Sequence, residues 1–335
     1  MGMRLQNWQS PGLSLRSRVI MDVLGATWRP FTHVIPPGRI GAVTSRRLIA
    51  AGLALASPPV KGATFDRIEA AVADGLTLRG EWVRTPMTTR ADGVILYIHG
   101  SGYVMCSSRT HRGLTSQLAD RTGLPVLSVD YRLSPSHRYP AAPQDVRAAW
   151  NWLLAEGYDP ARIIVAGDSA GGHLALTLAL ELARTRQALP AALVTLSPVV
   201  DLSVERGLVR DRIERDPFAS AAVARRTLAR YADAEAMLDD GLRIEFDDID
   251  RFPPTLVHAG SREMLAADCT DLVRRLKGAG LEVEYRVWPG LMHVFQAMTA
   301  FMPESLAALD EIATFITTHL PAADAAPYLM TAEIA

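Results

Sequence analysis

Lysine and cysteine are almost absent from this chain: Lys61 and Lys277 are its only lysines, Cys106 and Cys269 its only cysteines. The two thiols lie far apart and lack metal-ligand spacing, so neither a disulfide framework nor a zinc site is implied. An excess of one charge is missing as well. Thirty-five basic and 36 acidic residues leave a formal net charge of −1, too little for a field that favours nucleic acid or an anionic membrane. The arginines that make up the rest of the basic set are scattered and read as compositional bias. No long apolar run occurs. Leu48 to Val60, after Arg46-Arg47, is shorter than the roughly 20 residues needed to span a bilayer and reads as a packed helix ended by Pro58-Pro59. Met1 to Trp28 interleaves Arg4, Arg16, Arg18 and Asp22 with apolar residues and has no clean signal-peptide core. A cytoplasmic protein without integral membrane association is expected.

What remains is an ordinary globular composition, 49% hydrophobic and 21% charged over 335 residues, enough for one large domain or two small ones. From about residue 62, short β-rich runs alternate with helical stretches. Phe65 to Val72 and Leu76 to Val83 read as antiparallel strands joined at Asp74-Gly75. Gly93 to Ile98, Leu124 to Val129, Arg162 to Ala166, Ala191 to Leu196, Thr255 to Ala259 and Leu281 to Val287 complete eight strands. Helical stretches fall between them: Arg109 to Thr122, Ala141 to Glu156, Ala170 to Arg186, Asp268 to Ala279 and Pro303 to His319. This alternation predicts a mainly parallel sheet with helices on both faces. Residues 1–60 and 201–250 break it. The second segment, with a helix over Ser220 to Ala232, is far longer than a crossover needs and reads as a lid or binding element. The two are expected to pack together as a cap on a core spanning 61–335.

The sharpest chemical signal is Gly167-Asp168-Ser169-Ala170-Gly171, between a strand and a helix. A serine at such a tight turn exposes its hydroxyl, and the helix N-terminus favours the negative charge of acyl transfer. The hydroxyl needs a base. Among the eight histidines, His293 follows the last strand, at the carboxyl end of the sheet where functional groups of open α/β folds gather. His173 and His258 read instead as packed residues hydrogen-bonded to backbone. His33, His111, His137 and His319 lack supporting context. The third group is a carboxylate in Gly260 to Asp268. Glu263 lies nearest the strand end, whereas Asp268 has a ready role as a helix N-cap. The order Ser, acid, His is that of an α/β-hydrolase. His99-Gly100-Ser101-Gly102-Tyr103 follows the third strand, where oxyanion donors should arise. No dinucleotide or phosphate loop is present, and no cofactor or metal is implied.

Jointly these segments resemble the hormone-sensitive-lipase family of α/β-hydrolases, its bacterial carboxylesterases and lipases, over about residues 64–318. Asp130-Tyr131-Arg132-Leu133-Ser134-Pro135 with Tyr139-Pro140-Ala141-Ala142 matches a stretch specific to that group. The loop at 99–103, the elbow at 167–172, the acid segment at 260–268 and Pro289 to Phe295 fit the family's corresponding patterns, in the right order. The resemblance implies Ser169 as nucleophile, Glu263 as acid and His293 as base. It implies backbone donors at Ser101, Gly102 and Ala170 as the oxyanion hole, and structural roles for Asp130, Arg132 and Asp168. Two departures stand out: Ser101 replaces a glycine, and Glu263 replaces the more usual aspartate. The expected activity is hydrolysis of small or medium acyl esters through an acyl-enzyme. A lactone hydrolase or small-molecule deacetylase with the same triad is the alternative, and a non-catalytic ligand-binding homologue the reading from another class. Trp8, Met21, Trp28 and Phe31 could line an acyl pocket or form the seam between cap and core. The expected partner is a small-molecule ester, and a homodimer is left open.

Overall fold

A computed structural model describes residues 12–34 and 39–320; Trp8 lies outside them. Eight strands form one sheet: β1 (Thr64–Ala71), β2 (Thr77–Arg84), β3 (Val94–Ile98), β4 (Val126–Val129), β5 (Ile163–Asp168), β6 (Ala192–Leu196), β7 (Thr255–Gly260) and β8 (Val283–Trp288). Their spatial order is β1-β2-β4-β3-β5-β6-β7-β8. β1 pairs antiparallel with β2 and β2 with β4, and all remaining pairs are parallel. This is the expected α/β-hydrolase architecture, with each strand within a few residues of its predicted place.

Period-two alternation explains why β3 is apolar throughout. Val94, Leu96 and Ile98 point into one core, while Ile95 and Tyr97 point into the other. The first core is closed by α5 (Ala141–Ala155), α6 (Ala170–Arg184) and α9 (Ala266–Gly278), through residues such as Trp150, Leu178 and Leu272. The second is closed by α4 (Arg112–Thr122) and α10 (Pro303–His319), through Leu114, Leu118, Ile312 and Ile316. All five β3 side chains are fully buried, each contributing about 1.5–3 kcal/mol. A strand covered on both faces carries no polar alternation.

The two irregular segments are helical. The first holds α1 (Leu15–Ala26), α2 (Trp28–Val34) and α3 (Arg39–Ala56); the insertion between β6 and β7 holds α7 (Glu205–Ile213) and α8 (Ala221–Leu228). α8 is shorter than the expected 220–232 helix. α3 ends just before Pro58-Pro59, as read from sequence, but its Leu48 and Leu55 are exposed rather than packed. The segments meet through Arg29, which bonds Asp211 at 2.8 and 3.2 Å and the Ala219 carbonyl at 3.2 Å. Trp28 stacks on Phe218 with centroids 5.8 Å apart. No helix among the described residues is long and apolar enough to cross a membrane.

Candidate active site

Ser169 sits between β5 and α6 with φ +51° and ψ −116°, a backbone conformation that a non-glycine residue adopts at a cost of order 1–3 kcal/mol. The turn holds because Gly167 and Gly171, two residues to either side, have no side chains. A Cβ on Gly171 would lie 1.9 Å from the Ile98 carbonyl oxygen, and one on Gly167 would lie 2.5 Å from that of Gly171. The Ser169 N–H donates to the Leu196 carbonyl at 2.8 Å, and its own carbonyl accepts from Val199 at 3.0 Å. These bonds fix Oγ at the carboxyl end of the sheet.

His293, on the loop after β8, brings Nε2 to 2.9 Å from Ser169 Oγ. With the ring proton on Nδ1, Nε2 accepts the serine proton. Nδ1 itself has no hydrogen-bond partner. Burial lowers the imidazole pKa to about 4, opposed by the charge of Asp168, so the neutral, basic form prevails at neutral pH.

Glu263 lies on the turn after β7 and is fully buried, not an exposed loop acid. Its Oε2 accepts from Ser197 Oγ at 2.6 Å and from the Gly260 N–H at 2.9 Å. The same Ser197 oxygen accepts the N–H of Val294 at 3.1 Å. The acid is therefore tied to the histidine loop through Ser197, and no direct Glu263–His293 hydrogen bond forms. Burial raises the carboxyl pKa to about 8, against the lowering pull of the Ser197 and Gly260 bonds. Asp268 is elsewhere: it lies inside the first turn of α9, whose N-cap is Leu265, and pairs with Arg206 at 3.3 Å. The expected N-cap role is corrected accordingly, because the helix starts two residues earlier than predicted.

The loop at 99–103 passes beside the elbow. Ser101, Gly102 and Tyr103 all have positive φ, at 81°, 61° and 62°, forming a tight left-handed turn. Asp168 anchors its start, accepting the Gly100 N–H at 3.1 Å and the Tyr97 hydroxyl at 2.7 Å. His111 Nε2 adds a contact to Asp168 at 3.4 Å. Tyr131 donates to the His99 carbonyl at 2.9 Å. The insertion holds the loop from above, with Tyr231 stacked on Tyr103 at 3.7 Å between centroids and Thr227 against Gly102. Ser101 Oγ lies 2.9 Å from Cys106 Sγ, turned toward its own loop. Ala170 opens α6, so its N–H has no intrahelical acceptor and is free to serve an oxyanion.

Asp130, Arg132 and Asp168 have structural partners. Asp130 accepts from Ser108 N and Oγ at 2.6 and 3.0 Å, and Arg132 pairs with Asp145 at 2.9 Å. His173 Nε2 bonds the Leu242 carbonyl at 2.9 Å, as expected. His258 does not: neither ring nitrogen forms a hydrogen bond, and it faces Glu311 at 3.8 Å. Among the described residues no cluster of ligating side chains could hold a metal ion.

Sequence reasoning missed Tyr97, His111, Ser197 and Asp216. Asp216, in the insertion, is fully buried, and its carboxylate accepts from the N–H groups of Phe218, Ala219 and Met264 at 2.8, 3.1 and 3.3 Å. Burial raises its pKa to about 6, opposed by the backbone N–H groups of Phe218, Ala219, Met264 and His293. One carboxylate thus ties the insertion to the residue after Glu263 and faces the base loop. Arg210 of α7 adds a bond from Nε to the Glu263 carbonyl at 3.0 Å.

A family model for the alpha/beta hydrolase fold matches residues 95–297. The carboxylesterase/phospholipase LipF of Mycobacterium tuberculosis is 39% identical over 243 residues, 70% of this chain and 65% of LipF. The chain therefore spans just under two thirds of that relative's length. An esterase of Acinetobacter venetianus is 34% identical over 72% of this chain and 79% of its own. A crystal structure of an esterase from the bacterial hormone-sensitive lipase family superposes with a TM-score of 0.81 at 32% identity, covering 92% of this chain and 99% of the other.

Proposed function

The chain belongs to the α/β-hydrolase family, in its hormone-sensitive-lipase-like group, and from that membership we propose that it is a serine hydrolase of carboxylic esters. The observation that carries the reading is the 2.9 Å contact between Ser169 Oγ and His293 Nε2 at a strained strand-to-helix turn. Ser169 Oγ attacks the ester carbonyl while His293 takes its proton. The oxyanion is held by the N–H groups of Ser101, Gly102 and Ala170. The tetrahedral intermediate expels the alcohol, which leaves with the proton from His293. Water then attacks the acyl-enzyme, again with His293 as base, releasing the acid and restoring Ser169. Glu263 is the acid of the set, stabilising the imidazolium through the buried wall it shares with Ser197 and the histidine loop.

Residues 1–60 and 201–250 serve as a cap over the remaining core, a reading supported by the Arg29 and Trp28 contacts and by the clamp on the oxyanion loop. That clamp leaves Ser169 only 8% exposed, which favours small or medium acyl chains.

Replacing Ser169 with alanine should abolish p-nitrophenyl ester hydrolysis in a protein with unchanged circular dichroism. Retained turnover would overturn the assignment. A chain-length series of acyl esters, with lactones included, reads the substrate preference.

A further inference from the structure

Twelve large apolar side chains stand exposed among the described residues. Met87, Val287 and Leu306 lie on the hydrolase core, and the other nine lie on the N-terminal helices and the insertion. Their spacing is ordered. Leu15, Val19 and Val23 recur every fourth residue along α1, and Val209 and Ile213 do so along α7; Leu15 is 78% and Ile213 84% exposed. Such rows form a stripe on one helix face.

Between the two helices runs a groove of about 750 Å³, bordered by Met21, Asp22 and Gly25 of α1 and by Leu208, Asp211 and Arg212 of α7. At 3.6 residues per turn, Asp22 adjoins the α1 stripe and Arg212 the α7 stripe, whereas Met21 and Asp211 lie on the opposite sides of their helices. Through Asp22 and Arg212 each stripe crowns one bank of the same groove. Arg29, Arg212, Arg215 and Arg262 also line it, against the acids Asp22 and Asp211. Arg29 is matched by Asp211 and Arg262 by Glu214 at 3.8 Å, whereas Arg212 and Arg215 are exposed and have no ion-pair partner among the described residues. Arginines that look scattered in sequence are gathered here, a local charge hidden by the near-zero net charge.

We propose that the crowns of α1 and α7, with the arginine groove between them, form a docking surface for an anionic lipid–water interface. Apolar rows on amphipathic helices enter the headgroup–acyl boundary, and flanking arginines take the anionic headgroups. Isolated exposed apolar residues need no explanation, but paired rows beside a cationic groove do. A second copy of the chain fits this face less well: in a two-fold contact the patch meets itself, setting Arg212 and Arg215 against a surface carrying the same charges. The proposal does not depend on the esterase reading, since its test reads binding and not turnover.

The test is sedimentation of the full chain with vesicles of equimolar phosphatidylglycerol and phosphatidylcholine, beside vesicles of phosphatidylcholine alone. The chain should sediment with the anionic vesicles and be released by high salt. Arg212→Glu with Arg215→Glu should weaken binding by about tenfold or more, and Val209→Ser with Ile213→Ser should also weaken it. All four side chains are exposed, so thermal unfolding should be unchanged and loss of fold is separately visible. The proposal fails if the parent chain ignores anionic vesicles or if neither pair alters binding. It also fails if light scattering shows a dimer that Val209→Ser with Ile213→Ser dissociates, which would assign the face to a second copy.

Discussion

Ser197 Oγ donates to the Glu263 carboxylate at 2.6 Å while accepting the N–H of Val294 at 3.1 Å. One hydroxyl thus joins the acid to the residue following the base. Ser197→Ala leaves the buried Val294 N–H without an acceptor, at a cost of about 1–3 kcal/mol, and leaves the buried Glu263 carboxyl with the Gly260 N–H but without its hydroxyl donor. The expected result is a fall in kcat of about tenfold with little change in KM, partly rescued by Ser197→Thr. Because this bond lowers the Glu263 pKa, its loss should also move the Glu263 limb of the pH profile upward. A purely structural role would leave that limb in place.

The buried acid and base predict a two-step pH dependence. Burial holds His293 at about 4 and Glu263 at about 8. kcat/KM should rise as His293 loses its proton near pH 4 and rise again as Glu263 ionises toward pH 8. The second rise should vanish in Glu263→Gln, whereas Asp268→Asn should keep it. A loss of activity in Asp268→Asn alone would move the acid role to that residue.

Glu263 also carries a stability cost with a definite sign. Its folded pKa exceeds the ordinary 4.5, so the folded state binds the proton more tightly. Stability from this group is complete below about pH 4.5 and is lost as pH rises toward 8. Compared with the parent chain, Glu263→Gln should be more stable at pH 8 by about 2 kcal/mol or more, with the gap closing toward pH 4. Urea titrations at the two pH values check this, and an equal gap at both would contradict it.

Asp216 is the anchor through which the insertion reaches the chemistry. Asp216→Ala strands the backbone donors of Phe218, Ala219 and Met264, the last of them beside the acid. It should destabilise the fold by about 2–4 kcal/mol and lower kcat, with Asp216→Asn intermediate in both. Denaturant titration beside steady-state kinetics separates the two effects.

Ser101 holds a positive φ of 81°, a conformation that glycine adopts without the clash a Cβ brings. Ser101→Gly should relieve about 0.5–1 kcal/mol of strain and raise the thermal midpoint. Its N–H is unchanged, so kcat should stay within about threefold. A large loss would give the Ser101 hydroxyl a part in the chemistry.

The centre of the sheet was legible in the sequence because β3 to β7 are buried on both faces, largely apolar, and mostly separated by helices of ordinary length. α10 was read at its full extent, Pro303–His319, since proline marks its first turn. The elbow was legible because Gly167 and Gly171 bracket the serine in sequence as they do in space. Ser197, Asp216, Tyr97 and His111 were not, because each acts on a partner far along the chain: 66 residues separate Ser197 from Glu263, and 71 separate Tyr97 from Asp168. No local pattern encodes a single polar residue whose partner arrives by folding. Asp268 misled because its N-cap reading depends on a helix start that the structure places at Ala266.

Labelling with a fluorophosphonate probe, followed by peptide mass mapping, tests the central claim most directly. The account predicts one adduct, on Ser169, absent after heat denaturation and absent in Ser169→Ala. No adduct on the folded protein, or an adduct on Ser101 or Ser197 in place of Ser169, would contradict it.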